Sequence, residues 1–317
     1  MYARASAKSG VLLVLLSTFG LALKGIWARL AYAAGMDVGA VLFYRSILSL
    51  PLVLLGAFWL LRAQPAARPR KTAWLPAVLL GVLFAVGMTS DFQAIRYLGA
   101  SVSRIMLFGF PLLVLVFEAV GNRRWPARQR MLGFAIAFVG LLAVVSAGLS
   151  TPRSSVGVGP TALLWGVASL FTYALYVYLS ANVTQILGSV RVSVVSQLTT
   201  GFVVVLFLLV RERGVLPASS ARGFAWVATM VVVSTVIPYF LLMEGIRRLG
   251  ASEASLLAMG GPVVTVVASW LVLGEALTGL QLLGTAVVMA GVFVGRRVPR
   301  QGIQGARAGW RARWCPC

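Results

Sequence analysis

The segment Leu98-Gly-Ala-Ser-Val-Ser-Arg-Ile-Met-Leu-Phe-Gly-Phe-Pro111 decides how the chain is organised, because it occurs twice. Its second copy is Leu249-Gly-Ala-Ser-Glu-Ala-Ser-Leu-Leu-Ala-Met-Gly-Gly-Pro262, 151 residues later. The alignment continues without a gap beyond the segment, so that Gly133 falls on Gly284. Each copy predicts a tight turn, Leu-Gly-Ala-Ser, followed by an apolar run that Gly and Pro interrupt. The chain is therefore a duplication of one long unit.

The composition predicts a membrane protein. Hydrophobic residues make up 60% of the 317 residues and charged residues 11%, against about 45–50% and about 25% in a soluble domain. The net charge of +21 does not indicate nucleic-acid binding, because the arginines lie in short links and a tail and form no continuous basic face. No cofactor is expected. A His/Cys metal site is excluded, since the chain has no histidine and its two cysteines, Cys315 and Cys317, close the tail.

Apolar runs near the membrane-spanning length of about 20 residues predict an all-α membrane protein with ten transmembrane helices, arranged as two inverted five-helix repeats. The spans are expected to be helices, because lipid offers the backbone no water and no run alternates like a barrel strand. The ten predicted spans are 10–32, 39–61, 73–97, 101–120, 131–149, 160–181, 189–210, 224–246, 251–272 and 279–295. The predicted units are a cytoplasmic N-terminus (1–9), a first repeat (10–149), a linker (150–159), a second repeat (160–295) and a basic cytoplasmic tail (296–317).

The positions of Lys and Arg predict the orientation. With the N-terminus in the cytoplasm, nineteen of them fall in cytoplasmic segments, five in outer segments and four inside spans. Both termini are therefore expected in the cytoplasm, with the basic loops and tail close to anionic lipids. Since five spans per repeat is an odd number, the second repeat enters the membrane from the opposite face. Inverted repeats are the architecture of secondary transporters, whose halves open alternately around a site at the midplane.

Helix-breaking residues occur at equivalent places in the two repeats. Pro111 and Pro262 lie about ten residues into the fourth and ninth spans, preceded by Gly109 and by Gly260 and Gly261. Proline frees a backbone carbonyl and kinks the helix, and glycine lets another backbone or a ligand approach. Their symmetric placement favours a cavity-lining or hinge role, and kinks that only help helices to pack are the alternative.

Further cavity-lining candidates lie in spans three, six, seven and eight. Pro238 in span eight aligns with Gly87 in span three, so a weak point is predicted in both. Tyr173 and Tyr176 share one face of span six, and Gln197 shares a face of span seven with several hydroxyl residues. The alternatives are that the tyrosines are interfacial anchors and that Gln197 is a polar contact between helices.

Charged residues inside spans are costly in hydrocarbon and are functional candidates for that reason. At about 1.5 Å per residue, Lys24, Arg45 and Asp91 lie roughly 10 Å below the outer ends of their helices, and Arg104 about 5 Å. Asp91 could pair with Lys24 or Arg45, and such a pair is either structural or handles a proton or the substrate. Three cations against one anion leave the outer half of the cavity positive, which weakly indicates a solute with a carboxylate.

Glu118 and Glu244 belong to the inner third of the predicted membrane region and are candidates for handling protons. Arg247 and Arg248 follow Glu244 at i+3 and i+4, which predicts a salt bridge there. Glu118 has no obvious partner in the sequence. The chain contains neither a Gly-Lys-[Ser/Thr] phosphate loop nor a Gly-x-Ser-x-Gly elbow, so an ATP-driven pump is excluded and no catalytic residue is predicted.

The second repeat, RRLGASEASLLAMGGPVVTVVASWLVLGEALTGLQLLGTAVVMAGV, contains the Ala-rich turn, a proline within the helix and Leu-Gly-Glu at 273–275. Together with LKGIWARLAYAAGMD, FYRS and SLFTYALYVYLSANV, it resembles the EamA type of the drug/metabolite transporter superfamily, over roughly residues 10–296. The first repeat departs from this pattern, with Asn122-Arg123-Arg124 at the Leu-Gly-Glu position. The resemblance implies ten helices, a bacterial inner-membrane location and export or exchange of small metabolites, and it transfers no binding residue.

The predicted function is a secondary transporter that moves a small organic solute, such as an amino acid, a metabolite or a drug-like compound. Export by alternating access, with proton coupling or exchange, is expected. The alternative is a non-transporting integral membrane protein, an enzyme or a receptor-like scaffold, on the same fold. A homodimer is compatible with either function.

Overall fold

The computed structural model describes residues 2–62, 74–107, 109–123, 125–149, 160–211, 220–273 and 278–296, and the regular structure in these ranges is helical. One segment, Val232–Val236, is π-helical. The predicted linker, the tail beyond residue 296 and both cysteines lie outside the described residues. The helices are α1 (Tyr2–Ala33), α2 (Val38–Arg62), α3 (Trp74–Leu107), α4 (Phe110–Asn122), α5 (Arg128–Leu149), α6 (Pro160–Leu187), α7 (Ser189–Arg211), α8 (Ala221–Val231), α9 (Ile237–Leu249), α10 (Ala251–Ala258), α11 (Gly261–Leu273) and α12 (Gly279–Arg296).

Six helical stretches in the described ranges are long and apolar enough to cross a membrane. They agree with the predicted class of an all-α membrane protein, while the number ten remains a prediction. Two shorter apolar helices, Phe110–Asn122 and Gly279–Gly295, accompany them. The six stretches are Lys8–Ala33, Val38–Leu60, Trp74–Asp91, Leu163–Leu187, Ser189–Arg211 and Ala221–Leu249.

The helix breaks predicted at the two equivalent prolines are present and have the same form. Helix α3 ends four residues before Pro111, and α10 ends four residues before Pro262. In each case the next helix begins with the proline as its second residue. A proline ring clashes with the carbonyl four residues earlier and has no N–H to offer it. The prolines themselves therefore dictate where α3 and α10 stop.

The turn predicted at Leu98–Ser101 is wrong. These residues are helical within α3, whereas at the equivalent Leu249–Ser252 a turn separates α9 from α10 and Gly250 has a φ of 90°. Glycine inside a helix costs only about 1 kcal/mol relative to alanine, so Leu-Gly-Ala-Ser is compatible with both conformations. Consequently, the predicted third span and the start of the fourth form one helix, which ends only where Pro111 requires it.

The weak point predicted at Gly87 is also absent, because Gly87 lies inside the unbroken helix α3. Glycine keeps its N–H and can continue the hydrogen-bond ladder, whereas Pro238 cannot. At Pro238 the helix does change, since the π-helical segment ends just before it. Gly87 instead allows close packing of α3 on α6, where an added Cβ would lie 2.8 Å from Thr172 Oγ1.

Helices α5 and α12, the last helices of the two predicted repeats, pack together through glycines. A Cβ added to Gly133 would overlap the backbone of Gly295, and a Cβ added to Gly284 would lie 2.8 Å from the backbone N of Val144. Gly133, near the start of α5, contacts Gly295, near the end of α12, whereas Val144, later in α5, contacts Gly284, earlier in α12. The two helices are therefore antiparallel. The two contacts are also equivalent, since Gly133 corresponds to Gly284 and Val144 to Gly295 at the offset of 151 residues.

Several other helix contacts follow the same correspondence. Helix α1 packs on α8 and α9, as its equivalent α6 packs on α3. Helix α2 packs on its equivalent, α7, and both contact the helix formed by α8, the π-helical segment and α9. Since α3 also packs on α7, helices from both predicted repeats surround a common centre.

Candidate functional site

A small cavity lies at this centre, among α2, α3, α7 and the π-helical segment. It has room for about one water molecule, so a larger solute requires the helices to move. Most of the residues that line it have polar side chains, although the helices around it are apolar. The lining residues are Arg45, Ser46, Ser49, Met88, Gln197, Thr200, Gly201 and Thr235.

Arg45 is the charged residue of this cavity, and its side chain is buried. Its Nε donates to Thr235 Oγ1 at 3.2 Å, and its Nη1 lies 2.9 Å from Met88 Sδ. Within the described ranges, no carboxylate forms an ion pair with Arg45. The ion pair of Arg45 with Asp91 that the sequence allows is therefore not formed. A guanidinium has five N–H donors, and a hydroxyl and a thioether occupy only part of them.

The internal repeat relates several cavity residues in pairs. Ser46 and Ser49 of α2 correspond to Gln197 and Thr200 of α7 at the offset of 151 residues. All four side chains are buried and line the cavity. Gln197 is predicted from the sequence, but the two serines are not. The two serines could have been predicted by applying the offset of 151 residues to Gln197 and its hydroxyl neighbours.

A buried cluster of aromatic rings and hydroxyl groups adjoins the cavity through Ser196. The Tyr176 and Tyr239 hydroxyls contact each other, and Tyr239 Oη lies 2.9 Å from Ser196 Oγ. The Phe84 ring centroid lies 4.8 Å from that of Tyr176 and 6.1 Å from that of Tyr173. Tyr176 is therefore part of the core and Tyr173, which is partly buried, packs against it. Tyr239 is not predicted from the sequence.

Removing the Tyr239 hydroxyl is expected to lower the free energy of unfolding by about 1 kcal/mol. Tyr239→Phe loses the contacts with Ser196 and Tyr176 but keeps the ring packed on Phe84. Thermal unfolding of the purified protein in detergent measures the change, and Tyr176→Phe supplies the other edge of a double-mutant cycle. The double variant should lose less than the sum of the single losses, because the two hydroxyls share one bond. Additive losses would contradict that bond.

A second polar cluster surrounds Glu244 and is called the Glu244 network. Glu244 Oε1 lies 2.5 Å from both Arg247 Nη2 and Arg248 Nε, as the i+3 and i+4 spacing predicts. Ser189 Oγ donates to Glu244 Oε2 at 2.5 Å, and Arg248 Nη1 donates to Ser9 Oγ at 2.6 Å. The network joins α9 to α7 and α1. It favours a salt-bridged Glu244 over a proton carrier.

The other predicted site residues are spread along the helices and do not gather in the cavity. Lys24 is half-buried in α1, and Asp91 is buried in α3. Arg104 also lies in α3, but its side chain is outside the described part of the structure. Glu118 Oε1 accepts a hydrogen bond from Ser252 N at 3.0 Å, which joins α4 to α10. Pro238 follows the π-helical segment within a continuous helix, and the other hinge candidates lie at the two helix breaks: Gly109 and Pro111, and Gly260, Gly261 and Pro262.

Comparison with known proteins identifies the family. A family model described as the EamA-like transporter family matches residues 8–146 and 160–295. The "Uncharacterized transporter YcbK" of Bacillus subtilis (strain 168) is 28% identical over 287 residues, which cover 88% of this chain and 89% of that protein. The "Probable amino-acid metabolite efflux pump" of Salmonella typhimurium (strain LT2) is 24% identical over 266 residues, which cover 77% and 85% of the two chains.

A solved crystal structure shares the fold, with a TM-score of 0.72 at 16% identity over 94% of this chain and 99% of that one. The family match covers most of the chain, and the relatives are named as transporters. The family and these relatives imply a membrane environment and a small-molecule substrate. The chain therefore belongs to the EamA-like transporter family and is a multi-pass membrane transporter.

Proposed function

We propose that the protein is a secondary transporter that carries a small organic solute out of the bacterial cell by alternating access, coupled to protons or to exchange. The main support for this proposal is the cavity between the two repeats, most of whose lining residues have polar side chains. Equivalent residues of both repeats line it, and it lies where helices of the two halves meet. A central site shared by two related halves is what alternating access requires.

The antiparallel packing of α5 and α12 supports the inverted repeat with ten spans. If the halves were related by an axis along the membrane normal, equivalent helices would run parallel to each other. The equivalent contacts of Gly133 with Gly295 and of Gly284 with Val144 instead fit an axis in the membrane plane. Inverted halves present alternative faces to the two sides of the membrane, which is the basis for alternating access.

The small size of the cavity and the helix breaks support a cycle in which the surrounding helices move to admit the solute. The cavity admits about one water molecule, so binding requires α2, α3, α7 and α9 to separate. The breaks before Pro111 and Pro262 and the π-helical segment before Pro238 provide hinge positions next to these helices. The Glu244 network joins α1, α7 and α9 at the end that the charge distribution assigns to the cytoplasm, and it would open when this end opens.

Purified protein in proteoliposomes tests the proposal. A thermal-shift screen against amino acids, nucleosides and cationic drugs first selects a solute, and amino acids are the first choice because a relative is named as an amino-acid metabolite efflux pump. An imposed proton or solute gradient should then drive uptake of that solute. Absence of gradient-driven movement for every solute in the screen would contradict transport.

Asp91→Asn and Lys24→Ala are each expected to abolish gradient-driven uptake, because charges at these positions in α3 and α1 are costly in hydrocarbon without a function. Solute exchange without a gradient is measured in parallel, to separate coupling from binding. Arg222→Gln, which removes an exposed charge near the start of α8, is the control and should transport normally. Unchanged uptake in both test variants would remove Asp91 and Lys24 from the mechanism.

A further inference from the structure

We infer that Arg45 binds the carboxylate of the transported solute, so that the first repeat supplies the cation-bearing half of the cavity and the second repeat a neutral half. This inference rests on the proposed transport function and adds to it a class of solute and a residue that selects it. The evidence comes from the contacts of Arg45, from its equivalent in the second repeat and from the hydroxyl groups of the cavity.

The contacts of Arg45 with the described residues include no opposite charge. A buried ionised group is costly unless an opposite charge or a full set of hydrogen bonds replaces the lost water. Among the described residues, Arg45 contacts one hydroxyl, on Thr235, and one thioether, on Met88. Met88 and Thr235 both line the cavity, so the guanidinium lies where an anionic solute group could form bidentate hydrogen bonds with it.

The second repeat shows that packing at this position does not require a cation. Arg45 corresponds to Ser196, and Met88 corresponds to Tyr239, at the offset of 151 residues. Arg45 contacts Met88 as Ser196 contacts Tyr239, so the same side-chain contact is formed in both repeats. In the second repeat a neutral pair is sufficient. The guanidinium is therefore explained by a ligand and not by the helix contact it makes.

The hydroxyl groups of the cavity complement this arrangement. Ser49 Oγ donates to Ser46 O at 2.8 Å, and Thr200 Oγ1 donates to Ser196 O at 2.7 Å. Each hydroxyl has one proton, and since that proton is committed to a carbonyl, the oxygen is available as an acceptor. The cavity thus offers a cationic donor on α2 and neutral acceptors on α2 and α7. A solute with a carboxylate and a neighbouring ammonium group, as in an amino acid, matches both.

The test compares matched solutes on matched variants. The neutral L-amino acids, their amides and the amines that lack the carboxylate are measured for binding by thermal shift and for counterflow in proteoliposomes. The wild type is expected to bind the acids more tightly than the amides by roughly ten- to a hundredfold, the range for hydrogen bonds to a charged group. Arg45→Gln should lose this preference while retaining amide binding, and Arg222→Gln should keep it.

The possible outcomes separate the inference from the transport function. Transport of amides or amines as readily as of the acids by the wild type would overturn the role of Arg45 and leave transport intact. An equal loss of acid and amide binding in Arg45→Gln would show a structural role and would also overturn it. The wild-type comparison stands even if that variant does not fold. Failure of the wild type to move any solute would contradict the transport function and this inference together.

Discussion

Gly291→Ala is expected to destabilise the protein by about 1–3 kcal/mol, the usual cost of overpacking a close contact. A Cβ at Gly291 would overlap the backbone of Ala137 and lie 2.7 Å from the carbonyl oxygen of Gly133. Backbone atoms cannot rotate away as a side chain can, so α12 has to move away from α5. Unfolding of the purified protein in detergent, followed by tryptophan fluorescence, measures the loss.

The matched control is Gly25→Ala, the same change in helix α1. No atom lies within 4 Å of a Cβ added to Gly25, so this variant should gain up to about 1 kcal/mol from the higher helix propensity of alanine. Gly140→Ala, at the position equivalent to Gly291, should be destabilised like Gly291→Ala. A stabilisation of Gly291→Ala similar to that of Gly25→Ala would show that the α5–α12 contact does not depend on glycine.

Glu244→Gln is expected to open the end of the protein at which α1, α7 and α9 are joined. The substitution keeps the side-chain size but removes the charge that holds Arg247 and Arg248, and through Arg248 the hydroxyl of Ser9. A hydrogen bond to a charged group contributes about 1.5–3 kcal/mol, and each 1.4 kcal/mol changes an equilibrium about tenfold. The open population should therefore rise by about tenfold or more.

A reporter cysteine measures this opening. The two cysteines of the chain lie in its tail, and both are first replaced by serine. Ser193→Cys then places a single thiol one turn beyond Ser189 on α7. Ser193 is fully buried, so the thiol should react slowly with a membrane-impermeant maleimide, and Glu244→Gln should accelerate the reaction. Arg222→Gln controls for loss of a charge, and thermal unfolding checks that each variant is folded. Equal labelling rates would show that the Glu244 network does not close this end.

Some features of the site are predictable from the sequence because they depend on residues close together in the chain. The pairing of Glu244 with Arg247 and Arg248 follows from helical spacing alone, and the structure has both contacts. The partners of Arg45 could not be predicted in this way. Thr235 and Met88 are 190 and 43 residues from Arg45 in the chain, and only the packing of the helices brings them together.

The sequence by itself determined the duplication, the membrane class and the breaks before Pro111 and Pro262, because composition, repetition and the missing N–H of proline are properties of the chain alone. Only the tertiary structure decided which of two identical Leu-Gly-Ala-Ser segments turns and which continues as a helix. It also decided that Tyr176 lies in the core with Tyr173 packed against it, and that Arg45 lines a cavity whose described residues include no carboxylate. These outcomes depend on which helices meet, and the free energies that separate the local alternatives are too small for the local sequence to choose between them.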